Sequence, residues 1–376
     1  MRRATPGALD FPYRTSYFRK NILLIPTEPI GSIPRPIELI DAVQRGGAGA
    51  DLERLYDAAI RDTVALFEAT GSPVITDGEQ RKYHNFWTYC VHGLPNTDAE
   101  GFKIPFSAGH TRRMPRLTRG PFRYQRYADS YLEVAMRHAR VPVKQAVISP
   151  SALSLMYPAE GIPGYSRDAF IADLLGEHEK EVRNCLAKGA YKVQIDFTEA
   201  RLAVKLDPSG DLLNSFIDLN NLALARFSEQ ERQRIGVHTC PGSDRDSTHS
   251  ADVDYADLLP SLFELRVGSF YIALAGEPDR VRVLKIIRRY LKPNQRVFVG
   301  VVAPIDPRIE TPEEVCERVL EAARYLPLAQ LGTTDDCGFS PFCDDTTTSR
   351  ETAFAKIRAR VLGTAMAAAV LGAAAP

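Results

Sequence analysis

The chain has 376 residues, 47 basic and 47 acidic, with 44% hydrophobic and 25% charged residues. Zero formal charge gives no field that would draw it to nucleic acid or a membrane surface, and so ordinary a composition excludes a disordered or fibrous protein. Six cysteines scattered over this length are not a disulfide framework, so a reducing, cytoplasmic setting is expected.

In chain order, residues 1–20 read as an N-terminal arm, a candidate assembly element for a homo-oligomer; Arg2 and Arg3 lead into no continuous apolar stretch, so no secretory signal is expected. Residues 21–376 read as one domain. Eight apolar runs are predicted strands: 21–32, 73–79, 143–150, 192–197, 234–240, 269–274, 296–304 and 329–334. They are continuously apolar rather than alternating, the pattern of a parallel sheet covered on both faces. Helical patterns separate them at 51–69, 167–188, 211–230, 255–265, 279–291 and 312–324, and a last one at 350–371 closes the set. The helix at 312 carries a start signal, with Thr311 as N-cap, Pro312 at the first position and Glu314 completing a capping box. The Ala-rich tail at 361–376 is too short to span a bilayer, which takes about 20 residues. Strands alternating with helices predict a single (β/α)8 TIM-type barrel. Residues 83–140, aromatic and basic, interrupt the repeat after the second strand and read as an insertion over the barrel mouth.

Chemistry in such a barrel sits at the C-terminal ends of the strands. There the sequence places Gly31-Ser32, Asp77-Gly78-Glu79, Asp196 with Glu199 and Arg201 following, His238-Thr239-Cys240, and Asp335-Asp336-Cys337. His238 and Cys240 are two apart on one strand and face the same way. With Cys337 reaching across the mouth they make a three-ligand zinc set with one open position, the arrangement of catalytic zinc. Taken singly, His-x-Cys is a weak signal and Cys337 reads as a buried thiol. Cys90, Cys185 and Cys316 fall away from the strand ends and read as packing residues, and Cys343 as a loop residue.

The ordered motifs IGSIPRP (30–36), DGE (77–79), QID (194–196), HTC (238–240) and DCGF (336–339) resemble the catalytic barrel of cobalamin-independent methionine synthase. The same superfamily includes the epoxyalkane:coenzyme M transferases, or 2-hydroxyalkyl-CoM lyases. The resemblance implies that His238, Cys240 and Cys337 bind zinc, which holds a substrate thiol as thiolate. It implies that Ser32 marks the loop for a homocysteine carboxylate, and that Glu79 and Asp196 hold its amino group. The chain also departs from the methionine synthase pattern. It has one barrel rather than two. Ala273 stands where a fourth ligand, a glutamate, is expected, with Glu277 as a displaced substitute. Asp196-Phe197-Thr198 replaces Asp-Glu-Pro, and the loop after Cys240 is long and polar.

These departures point to a zinc-dependent thiol S-alkyltransferase, with addition of coenzyme M or a similar small thiol to an aliphatic epoxide as the main expectation. Homocysteine S-methylation and a non-catalytic barrel subunit are the alternatives. A sulfonate tail would suit Arg35, Arg81 or Arg245, whereas an ammonium would suit Glu79 and Asp196. Trp87 reads as a substrate lid or as a packed anchor. Candidate proton donors are His249, Tyr271 and Asp246. Each has a plainer reading: His249 as a solvated loop residue, and Glu79 and Asp196 as ion-pair partners of nearby cations.

Overall fold

The computed structural model describes residues 25–82, 86–105, 111–242 and 248–373. The expected arm at 1–20, and Arg245 and Asp246, lie outside them. The chain runs α1 (Ile37–Gln44), α2 (Gly49–Ala69), β1 (Thr97–Pro105), β2 (Thr111–Leu117), α3 (Asp129–His138), β3 (Gln145–Ile148), α4 (Pro150–Ser154) and α5 (Arg167–Ala187). It continues with β4 (Val193–Asp196), α6 (Glu199–Leu206), α7 (Asp211–Leu224), α8 (Glu229–Arg232), β5 (Ile235–Thr239), α9 (Tyr255–Leu262), β6 (Ser269–Ile272) and α10 (Arg280–Tyr290). β7 (Arg296–Val302), α11 (Pro312–Ala323), β8 (Leu331–Asp335) and α12 (Arg350–Ala373) complete it.

Strands β3 to β8 form one parallel sheet in chain order. All but the first residue of β7 are buried along them, as continuous apolar runs require. Among the described residues, the first two predicted strands appear as single parallel bridges, Thr27 with Thr333 and Ile75 with Val143; residues 21–24 of the first lie outside the described residues. The first is cut short because Pro26, Pro29 and Pro34 offer no N–H to a ladder. The second ends where Gly78 and Glu79 both turn left-handed, at φ +68° and +57°. Two bonds tie these segments together: Ile33 N–H to the Gly78 carbonyl at 3.0 Å, and the Thr76 hydroxyl to the Gly31 carbonyl at 2.8 Å. The arrangement is consistent with a TIM-type barrel, although no continuous ladder runs between the first two segments.

Within 83–140 the described residues form an antiparallel hairpin, β1 with β2, followed by α3, which packs against α2 and α5. The capping box at Thr311 is present as expected, with both of its hydrogen bonds made. No helix among the described residues is long and apolar enough to cross a membrane.

A buried polar column fills part of the sheet's inner side. Glu28 lies 2.8 Å from Lys192 and 3.7 Å from Lys144, and accepts the Tyr271 hydroxyl. Lys144 donates to Gln194 at 2.7 Å, and Gln194 donates to Asp196 at 2.7 Å. Buried charges persist only when paired in this way. The column delivers Asp196 to the C-terminal end of β4 in a fixed orientation.

Candidate metal centre

β5 ends with His238 and then Cys240, and Cys337 follows β8. Their ligand atoms all lie within 4.8 Å of one another, and all three residues are buried. The two sulfurs are 2.7 Å apart, and both cysteines are free. His238 Nδ1 lies 3.2 Å from Asp196 Oδ1. Giving the Nδ1 proton to that carboxylate leaves Nε2 to bind a metal, the usual way a carboxylate orients a ligating imidazole. Nε2 is buried and has no hydrogen-bond partner. An orphaned imidazole nitrogen beside two thiols fits a metal of the zinc type.

The electrostatics agree. Burial would lower the His238 pKa, but the Cys240 charge and the Asp196 hydrogen bond overcome it and raise it to about 10. Burial would raise the Cys240 thiol, but the hydrogen bond from Cys337 and the His238 charge hold it well below the usual thiol range. The shifts set an acidic thiol beside a basic imidazole, and a cation bound there would displace protons.

The loop carrying Cys337 is pinned on three sides. Asp336 accepts the N–H groups of Leu274, Ala275 and Gly276 at 2.7, 2.8 and 2.9 Å. Its carboxylate needs the space at Gly300, where an added Cβ would lie 1.8 Å from Oδ1. At Gly338 an added Cβ would lie 2.0 Å from the Ser32 Oγ, which accepts the Ser340 N–H at 3.2 Å. Arg35 is buried and donates to the carbonyls of Glu79, Lys82 and Phe342 at 2.8, 2.9 and 3.0 Å. It therefore splices the DGE loop to the loop after Cys337 and is not turned toward a ligand.

Two cavities meet at Cys337. A polar pocket of about 270 Å³ is lined by Ser32, Glu79, Asp196, Thr198, His238 and Cys337, among others. The predicted residues Ser32, Glu79 and Asp196 are thus brought to the metal ligands. Glu79 is paired with buried Lys82 at 2.9 Å, a partner that the sequence reading did not single out. Its backbone at φ +57° is costly for a non-glycine residue and typical of functional sites. Arg81 does not join the pocket, because its guanidinium is held by Glu53 and Asp57 of α2 at 2.6 and 2.7 Å. No arginine lines either cavity among the described residues.

The second cavity spans about 590 Å³, part of it open to solvent, and is mainly apolar, with Phe86, Trp87, Leu155, Leu202, Pro341 and Phe342 in its walls. Trp87 is buried and stacked on Phe86, so it forms a wall. Cys240, Cys337 and Glu199 also line the chamber. So does His249, which corrects its solvated reading; burial lowers its pKa to about 4. Tyr271 is excluded as a rim acid, since its ring lies in the polar column against Phe298 and its hydroxyl is given to Glu28. Ala273 packs against Cys240 and Cys337, at the position expected for a fourth ligand. Glu277 and Cys343 are not among the clustered metal-ligand groups.

No protein-family model matches the chain. It is 23% identical over 348 residues to a methionine synthase from Sulfurisphaera tokodaii, across 91% of this chain and 92% of that one. It is 24% identical over 347 residues to a 5-methyltetrahydropteroyltriglutamate–homocysteine methyltransferase from Nitratidesulfovibrio vulgaris, across 89% of this chain but 41% of that enzyme. Its fold matches that of a B12-independent methionine synthase from Shewanella sp. W3-18-1 in complex with selenomethionine, with a TM-score of 0.70, 19% identity, and coverage of 93% of this chain and 99% of that one. What the fold and site define is an α/β protein with the fold of that synthase and a clustered His/Cys/Cys set that could hold a metal ion. The relatives and the shared fold make the chain similar, at 19–24% identity, to cobalamin-independent methionine synthases.

Proposed function

We propose that the protein is a zinc-dependent thiol S-alkyltransferase whose thiol substrate carries an ammonium group, as homocysteine does. One observation carries the reading: His238 Nε2, buried and without a partner, lies within 4.8 Å of the Cys240 and Cys337 sulfurs. Zinc held by these residues supplies a thiolate at neutral pH, because a coordinated thiol is deprotonated by the ion. The polar pocket supports the choice of thiol. Glu79 and Asp196 suit an ammonium, while Arg35 and Arg81 are both committed elsewhere and leave a sulfonate without its natural fork. The names of the relatives point the same way.

A second reading, addition of coenzyme M to an aliphatic epoxide, draws support from the apolar chamber. Zinc-edge X-ray absorption separates the two. Homocysteine is expected to add a new zinc–sulfur path and coenzyme M to add none. The reverse result would transfer the proposal to the second reading, and no change with either thiol would end both.

A further inference from the structure

Among the described residues, Glu199 is the one chamber-lining carboxylate, and its two oxygens have different surroundings. Oε1 accepts the hydroxyls of Ser149 and Ser151, both at 2.5 Å. Ser151 is itself held by Asn220, whose amide donates to its oxygen at 2.8 Å. Oε2 is buried and has no hydrogen-bond partner. Because Oε1 already accepts two donors, a proton on this carboxyl belongs on Oε2, where no protein group receives it. Burial raises the pKa to about 7, even though the two seryl hydroxyls lower it. An acid tuned near neutrality, with its proton on an unengaged oxygen, is suited to proton transfer.

The chamber also restricts the guest. Among the described residues, no lysine or arginine lines it. The described walls offer a polyanionic tail no cationic partner, whereas an apolar group would be covered on several sides by aromatic and aliphatic side chains.

We propose that Glu199 is the proton donor of the reaction and that the chamber holds an uncharged, apolar alkyl donor whose departing heteroatom takes that proton from Oε2. The inference rests on the thiol-alkylation reading above. As the sulfur–carbon bond forms, the carbon–heteroatom bond breaks and its electron pair stays on the heteroatom. That atom takes the Glu199 proton. The carboxylate left behind keeps its two seryl hydrogen bonds, and solvent returns a proton after product release.

The test compares Glu199→Gln with the wild type, both zinc-loaded, in single-turnover thioether formation using homocysteine or coenzyme M, whichever binds by calorimetry. Two alkyl donors are used: 1,2-epoxybutane, whose opening oxygen needs a proton, and methyl iodide, whose iodide leaves without one. The expected result is that the ratio of the epoxide rate to the methyl iodide rate falls about a hundredfold or more in the variant. An equal effect on both donors, or none, overturns the role of Glu199. Infrared difference spectra give a readout independent of turnover. A protonated-carboxyl band that titrates near pH 7 and is missing from the variant is expected, and its absence from the wild type counts against the proposal. Failure of the wild type to bind either thiol defeats the thiol-alkylation reading itself, which is a separate outcome. Ser149→Ala should shift the same band to higher pH, which guards against a Gln variant that folds poorly.

Discussion

The polar pocket and the apolar chamber share Phe86, Thr198, Cys337 and Pro341 in their walls, yet they are built differently. In the pocket, the named carboxylates already hold protein partners: Glu79 with Lys82, and Asp196 with Gln194 and His238. In the chamber, hydrocarbon dominates and Glu199 keeps one oxygen unengaged. On the proposed reading, charged groups on one side and an apolar void on the other would let two dissimilar reactants approach one sulfur site from different directions.

Breaking the shared corner has the largest expected effect. Cys240→Ser should reduce zinc from one equivalent to a trace after dialysis, read by elemental analysis, with the far-ultraviolet circular dichroism retained. Asp196→Asn tests the pocket side alone. Losing the carboxylate that orients His238 should weaken metal affinity about 10–100-fold in a chelator competition.

A smaller effect, away from both cavities, concerns Glu181, which accepts the Tyr89 hydroxyl at 2.8 Å and the Ala128 N–H at 2.9 Å. Burial raises its pKa to about 7. Between about pH 4.5 and 7 the folded protein keeps a proton that the unfolded chain has released, so stability falls as pH rises through that window. The contribution is up to about 3 kcal/mol. Thermal melts of Glu181→Gln should show a shallower decline from pH 5 to 8 than the wild type. The smallest change is expected for Arg81→Ala. It should leave thiol affinity unaltered in calorimetry and cost under about 1 kcal/mol, because its partners Glu53 and Asp57 are largely exposed.

The metal corner was legible because strand periodicity places His238 and Cys240 on one face, and because chemistry in this architecture gathers at strand ends. Strands β3 to β8 were legible as apolar runs. The first strand was overestimated because apolar content says nothing about missing N–H groups at Pro26 and Pro29, and the second because it says nothing about the left-handed turn at Gly78 and Glu79. Arg35 was misread for a similar reason. A guanidinium beside rim motifs suggests a ligand clamp, but its four carbonyl partners, at residues 79, 80, 82 and 342, come together only in the fold. Glu199 stood in view after the fourth predicted strand, but its meaning depends on Ser149 and Ser151, about 50 residues earlier, and no local pattern signals that pairing.

Arg112 of β2 lies over the Phe342 ring at 4.3 Å and reaches Asp344 at 3.0 Å, and Phe342 is also part of the chamber wall. The hairpin is therefore latched to a segment of the chamber wall. The Asp344 end of this latch is exposed, so added salt loosens it. The join between hairpin and chamber wall is thus held partly by a charge pair that solvent can screen, at a contact outside both cavities.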